Sequence, residues 1–254
     1  MQEPFTIKNP SGQKIRAFLH KPDDFDKEKQ YPLIIYVHGF KGFMDQEHIR
    51  WYADFFTKHN FCYVRFDFTH GTGKSDGDIR NLTVSHYIED LRCMIDYVSS
   101  IPYAEGITLL CASLGGFVSI LSDLSKVKNL ITLGALSDFS VTLYMKCDLG
   151  DWKENGFAMF YSNTEKKTYR VDYAFYDDGM KHDILGAASR IRIPWLIIHG
   201  SADRSVPVDQ AFALHEACPG SKLQIFPNAP HTFKDPVLLE RAANFMLDWI
   251  SAYK

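Results

Sequence analysis

The sequence predicts an α/β protein: a mostly parallel central sheet flanked by helices, with an insertion carried on one side. Three observations point there. Strand-sized apolar runs alternate with amphipathic stretches along most of the 254 residues. Several of those runs, Leu33-Ile34-Ile35-Tyr36-Val37 among them, are continuously apolar, as strands are when helices cover both faces of a parallel sheet. One long segment then breaks the alternation and is dense in aromatic residues.

In order along the chain, strands are predicted over 14–20, 33–38, 61–66, 106–111, 129–135, 194–199 and 222–226, each a short run of apolar and β-branched residues. Helices are predicted over 46–59, 84–100, 114–124, 208–217 and 236–252. The last has Leu238, Leu239, Ala242, Phe245, Met246 and Trp249 at helical spacing, a core-packing stripe. No helix separates the first two predicted strands, and Pro10-Ser11-Gly12 signals a turn, so those two strands are expected to form an antiparallel hairpin. From about 137 to 182 no strand is evident. Phe139, Tyr144, Trp152, Phe157, Phe160, Tyr161, Tyr169, Tyr173, Phe175 and Tyr176 crowd this stretch beside charged residues that suit a solvated surface. The expected organisation is a core of residues 1–136 and 184–254, with 137–183 forming a cap over a binding site.

Composition removes several function classes. Hydrophobic residues make up 46 % of the chain, enough for a full core without disulfides or metal. A net charge of −3 argues against a general nucleic-acid binder. The apolar runs fall far short of the ~20 residues of a membrane span. The start, Met1-Gln2-Glu3-Pro4-Phe5-Thr6, shows no basic segment leading into an apolar one, so no signal peptide is expected. Cys62, Cys93, Cys111, Cys147 and Cys218 are scattered and odd in number, which fits reduced thiols in a cytoplasmic enzyme better than a disulfide framework or zinc site.

The chemistry concentrates in three loops. Strand 106–111 runs directly into Ala112-Ser113-Leu114-Gly115-Gly116 and an apolar helix. A serine on such a sharp turn projects its hydroxyl above the sheet edge, and the helix start supplies backbone N–H groups. Close strand–helix approach favours small residues two before and two after the serine. Gly115 meets that need, and Cys111 stands where glycine is usual. His38-Gly39-Phe40 ends another strand, so the N–H groups of Phe40 and Leu114 are the expected oxyanion donors. Downstream, Asp203 follows one strand and His231 follows the last, giving the chain order Ser, Asp, His. Such loops converge at the carboxyl ends of parallel strands. Asp138 is a rival acid. His38 and His199 precede glycines at strand ends, where a structural hydrogen bond is expected. Cys111 lies before the apex of the turn and is not expected to be the nucleophile.

These pieces, with Asp67, Gly71, Gly73, Ser75 and Gly77 in a stretch similar to the Asp-x-x-Gly-x-Gly-x-Ser loop of that group, resemble the α/β-hydrolase superfamily over essentially the whole chain. Within it the sequence is most similar to serine esterases of the cinnamoyl/feruloyl-esterase and monoacylglycerol-lipase type. The resemblance implies a compact cap after the sixth strand and cleavage of carboxylic esters through Ser113, His231 and Asp203. It requires neither metal nor organic cofactor. Small esters with apolar or aromatic acyl groups are the expected substrates, the cap aromatics lining their pocket; the net charge favours neutral esters over free-acid or acyl-CoA forms. A thioesterase, an acyl-aminopeptidase, a carbon–carbon bond hydrolase and a non-catalytic ligand-binding homologue stay open, as does a homodimer.

Overall fold

A computed structural model describes residues 1–140 and 147–253 of the chain. Its centre is an eight-stranded sheet: β1 (Gln2–Lys8), β2 (Lys14–His20), β3 (Tyr31–Val37), β4 (Cys62–Phe66), β5 (Ala104–Ala112), β6 (Asn129–Leu133), β9 (Trp195–Gly200) and β10 (Lys222–Phe226), in the spatial order β1-β2-β4-β3-β5-β6-β9-β10. From β4 to β10 every pairing is parallel, while β1–β2 and β2–β4 are antiparallel. The sheet divides the core in two. Leu33, Ile35 and Val37 of β3 pack on one face with the helices α2 (Val84–Ser99) and α3 (Leu114–Leu121). Ile34 and Tyr36 pack on the other with α1 (Glu47–Lys58) and α8 (Pro236–Ser251). Burial on both faces explains the unbroken apolar runs.

Two expectations are corrected. The hairpin around Pro10–Gly12 exists, but it joins β1 to β2, with Gly12 at φ +78° and its N–H donating to Asn9 O. The second predicted strand, β3, is separated from β2 by β4. β1 was illegible because it is a solvated edge carrying Pro4, with only Phe5 and Ile7 half-buried against the core. The aromatic-rich stretch also contains strands: β7 (Phe157–Ser162) and β8 (Lys167–Asp172) form a separate antiparallel hairpin. Their alternation, with Phe160, Ser162, Tyr169 and Val171 inward, was hidden among so many aromatic residues.

The insertion between β6 and β9 also holds the short helices α4 (Leu149–Asn155), α5 (Ala174–Gly179) and α6 (Ile184–Ala188). Trp152 is buried and donates from Nε1 to Val171 O at 3.0 Å, and Asp178 of α5 accepts the Ser85 N–H and Oγ–H from the start of α2. Another helix, α7 (Asp209–Ala217), links β9 to β10. No described helix is long and apolar enough to cross a membrane.

The feature that positions the site is the approach of α3 to β3. A Cβ on Gly115 would lie 2.2 Å from Val37 O, and one on Gly116 2.6 Å from the Ala135 Cβ. The wall against Gly115 cannot retreat, because β3 is central to the sheet. Gly115→Ala is expected to destabilise the fold by about 2 kcal/mol or more through overpacking. Gly220→Ala, whose added methyl meets nothing within 4 Å, should change stability by less than about 0.5 kcal/mol. Urea unfolding of both variants checks this.

Candidate active site

β5 ends at Ala112, and Ser113 carries φ 54° and ψ −121° before α3 begins at Leu114. A non-glycine residue in this region costs about 1–3 kcal/mol, a strain that marks functional turns. The turn is held from outside: the Ser113 N–H donates to Leu133 O at 2.9 Å, and Ser113 O accepts from Gly116 N. Leu114, as the first residue of α3, has no intrahelical acceptor for its N–H. A Cβ on Gly39 would stand 3.0 Å from the Ser113 Cβ and 3.5 Å from Leu114 N, so the loop carrying Phe40 lies against the same turn.

Cys111 has a structural explanation. It is fully buried, its Sγ is 3.0 Å from Ser119 Oγ, and that hydroxyl donates to Gly115 O at 2.7 Å. The thiol therefore ties strand to helix where glycine would leave the hydroxyl with one partner fewer. Burial pushes its pKa up to about 12 despite that hydrogen bond. At pH 8 Cys111 is a thiol, not a nucleophile.

The loop after β9 supplies Asp203, whose side chain is wholly buried. Oδ1 accepts the N–H groups of Ser205 and Val206, each at 2.8 Å. Oδ2 faces His231 Nδ1 at 2.7 Å and His199 Nε2 at 3.2 Å. Burial would raise this acid, but the hydrogen bonds from His199, His231 and the backbone outweigh it and hold the carboxyl well below the usual range. A carboxylate only accepts, so His231 bears its proton on Nδ1 and leaves Nε2 available as a base. Gly134 (φ +58°), following β6, closes this pair in: its Cβ position is 3.2 Å from His231 Nδ1 and 3.4 Å from Asp203 Oδ2.

Ser113, His231 and Phe40 all line one cavity of about 540 Å³ at the carboxyl ends of the strands. The rival acid stays away: Asp138 is exposed and its Oδ1 accepts from the N–H and hydroxyl of Ser140. His38 donates from Nδ1 to Gly39 O at 3.0 Å, with Phe68 N 3.5 Å from its Nε2. His199 spans Asp203 and Val206 O, a second brace on the acid that its position before a strand-end glycine signalled only as a structural bond. Asp67 ties two loops together. Its carboxylate accepts from Met44 N at 2.6 Å and Lys74 N at 2.7 Å, fastening the loop after Phe40 to the glycine-rich turn. Among the described residues no group of three or more His, Cys, Asp or Glu is arranged to hold a metal ion.

The cap aromatics correct another expectation. Tyr144 lies outside the described residues, and none of the other nine lines the cavity. Phe160 and Phe175 instead pack on Phe40, at 5.3 Å each, and the insertion presents Ser162, Asn163 and Thr164 to the cavity.

Two outcomes follow from these environments. Because the folded pKa of Asp203 is depressed, its carboxylate stabilises the fold above the unfolded value of about 4, and that contribution is lost as pH falls toward the folded pKa. The stability gap between wild type and Asp203→Asn should therefore hold at pH 6 and narrow below about pH 4, read from urea midpoints. Cys111 should resist iodoacetamide in the native protein at pH 8 and react once the chain is unfolded, checked by peptide mass analysis.

A family model described as acyl transferase matches residues 4–147. The bovine (Bos taurus) palmitoyl-protein thioesterase ABHD10, mitochondrial, is 27 % identical over 204 residues, covering 75 % of this chain and 65 % of that protein. The chain thus spans just under two thirds of the length of that curated relative. Among solved structures, Est1E from Butyrivibrio proteoclasticus with bound ferulic acid aligns at a TM-score of 0.82 and 22 % identity, covering 97 % of this chain and 99 % of the other. Mouse alpha/beta hydrolase domain-containing protein 10 aligns at 0.81 and 21 %, covering 99 % and 100 %. With a matched model spanning more than half of its residues and this sheet order, the chain belongs to the acyl transferase family and carries the α/β-hydrolase fold.

Proposed function

We propose that the protein is a serine hydrolase that cleaves small carboxylic esters through an acyl-enzyme. The observation that carries this reading is the convergence on one cavity of a serine held at positive φ and a histidine whose Nδ1 is fixed by a buried carboxylate. His231 Nε2 takes the Ser113 proton as Oγ attacks the ester carbonyl, and Asp203 holds the tautomer and stabilises the imidazolium. The N–H groups of Phe40 and Leu114 bind the developing oxyanion, each worth about 3–4 kcal/mol in comparable sites. The carbonyl re-forms as the alcohol leaves with the proton from His231. Water then enters, gives a proton to His231 and releases the acid. Residues 137–183 serve as a cap over residues 1–136 and 184–254.

A thioester substrate is the second reading, favoured by the name of the bovine relative; the same triad serves either leaving group. The free cysteines support a reducing, cytoplasmic setting, although that relative is named mitochondrial.

Ser113→Ala should abolish labelling by a fluorophosphonate probe and ester hydrolysis with the melting temperature retained; activity within tenfold of wild type would sink the reading. Asp203→Asn should lower kcat on the order of 10⁴-fold through the wrong histidine tautomer, measured with 4-nitrophenyl acetate.

A further inference from the structure

One wall of the cavity has no part in the acyl-transfer steps. On the side of α1 it is lined by His48 and Tyr52, with Tyr36 of β3 beneath, the Tyr36 ring 6.3 Å from His48 and 6.1 Å from Tyr52. Tyr52 is 1 % exposed, yet its hydroxyl has no hydrogen-bond partner. The buried Nδ1 of His48 has none either. A buried polar group left unpaired is destabilising, so two in one cavity wall call for a ligand.

The charge around them has one sign. Lys41, Arg204 and Lys234 line the cavity, and no Asp or Glu does. Among the described residues neither Arg204 nor Lys234 is held in an ion pair. Lys234 lies near enough to His48 to add to the effect of burial, which brings that imidazole down to about 4. A cleft of one charge sign concentrates ligands of the other, whatever the net charge of the chain. The overall −3 therefore misleads about the site.

We infer that this wall is an anion subsite: the substrate carries, away from its scissile carbonyl, a carboxylate or phosphate that Lys234 and Arg204 attract and that accepts the hydroxyl of Tyr52. His48 adds a second donor when its Nδ1 bears the proton. The inference rests on the esterase reading for the scissile bond, and it replaces the expectation of neutral substrates.

Two matched pairs of substrates distinguish the sources of the anion. The 4-methylumbelliferyl hydrogen glutarate and pentanoate differ by a carboxylate on the acyl side. Butyryl-CoA and butyryl-N-acetylcysteamine differ by phosphates on the thiol side. At low ionic strength kcat/KM should favour the anionic member of one pair by about tenfold or more. That preference should fall at least about threefold in Lys234→Gln and in Tyr52→Phe, and with added salt. Tyr52→Phe removes only an oxygen without a partner, so its melting temperature should not drop, and a lost preference there is not unfolding. If none of the four substrates is turned over, the esterase reading fails, and titration calorimetry of Ser113→Ala with glutarate and with inorganic phosphate decides the subsite. Millimolar binding removed by Lys234→Gln supports it, and no binding overturns it. Where the substrates are turned over, a preference within twofold of unity in both pairs, or one that both substitutions leave intact, overturns it.

Discussion

The structure depends on one contact: the first turn of α3 pressed against the last residues of β3, with Gly115 facing Val37 O. Bringing helix and strand that close forces the chain between β5 and α3 to turn within a single residue, which is why Ser113 sits at φ 54°. The same closeness sets Gly39 against the Ser113 Cβ, so the loop that carries Phe40 is aligned by steric contact with the turn that carries Leu114. Cys111 and Ser119 sew the interface from the side through Gly115 O. Strain at the serine is thus sustained by packing that the core already provides.

The second half of the site is anchored by the end of β6. Leu133 O holds the Ser113 N–H, and the next residue, Gly134, lies against the imidazole of His231 and the carboxylate of Asp203. Gly134 N donates in turn to Ile198 O of β9, the strand that leads to Asp203. Ser113, His231 and Asp203 come from three loops far apart in sequence, but one strand end touches all three. A side chain at Gly134 would have to enter the space that the histidine occupies. The acid itself accepts from two imidazoles and two backbone N–H groups, which leaves its carboxylate little freedom to rotate.

Legibility in the sequence followed the range of the forces involved. Continuous apolar runs exposed the buried strands, and the serine turn, the aspartate loop and the last histidine could be read because each is a local signal at a strand end. The edge strand β1 escaped because water, not the core, faces most of it. Its omission assigned the Pro10–Gly12 turn to the wrong pair of strands. The cap aromatics were read as a substrate lining because composition does not say which way a ring points; rings among them meet one another, Phe40 and Phe117. The polar wall was invisible for the opposite reason. Tyr36, His48, Tyr52, Arg204 and Lys234 share no pattern along the chain and meet only through the sheet order.

The insertion and the loop carrying Phe40 form one mechanical unit. Phe40 stacks on Phe175 and meets Phe160 edge-on, while Lys41 at φ 55° sends its Nζ to Tyr161 O at 2.5 Å. On the other side Asp67 clamps Met44 N, and a Cβ on Gly73 would lie 2.1 Å from the Asp67 carboxyl carbon, so the clamp itself requires the glycine-rich turn. The short loop 39–44 is therefore held between two supports, one in the core and one in the insertion. Movement of β7 relative to the core has to pass through Phe40, whose N–H is proposed to receive the oxyanion. On the proposed reading, Phe160 and Phe175 of the insertion bear on the rate of the chemical step as well as on substrate choice, because the group that would feel their displacement first is the N–H proposed to receive the oxyanion and not a distant binding surface.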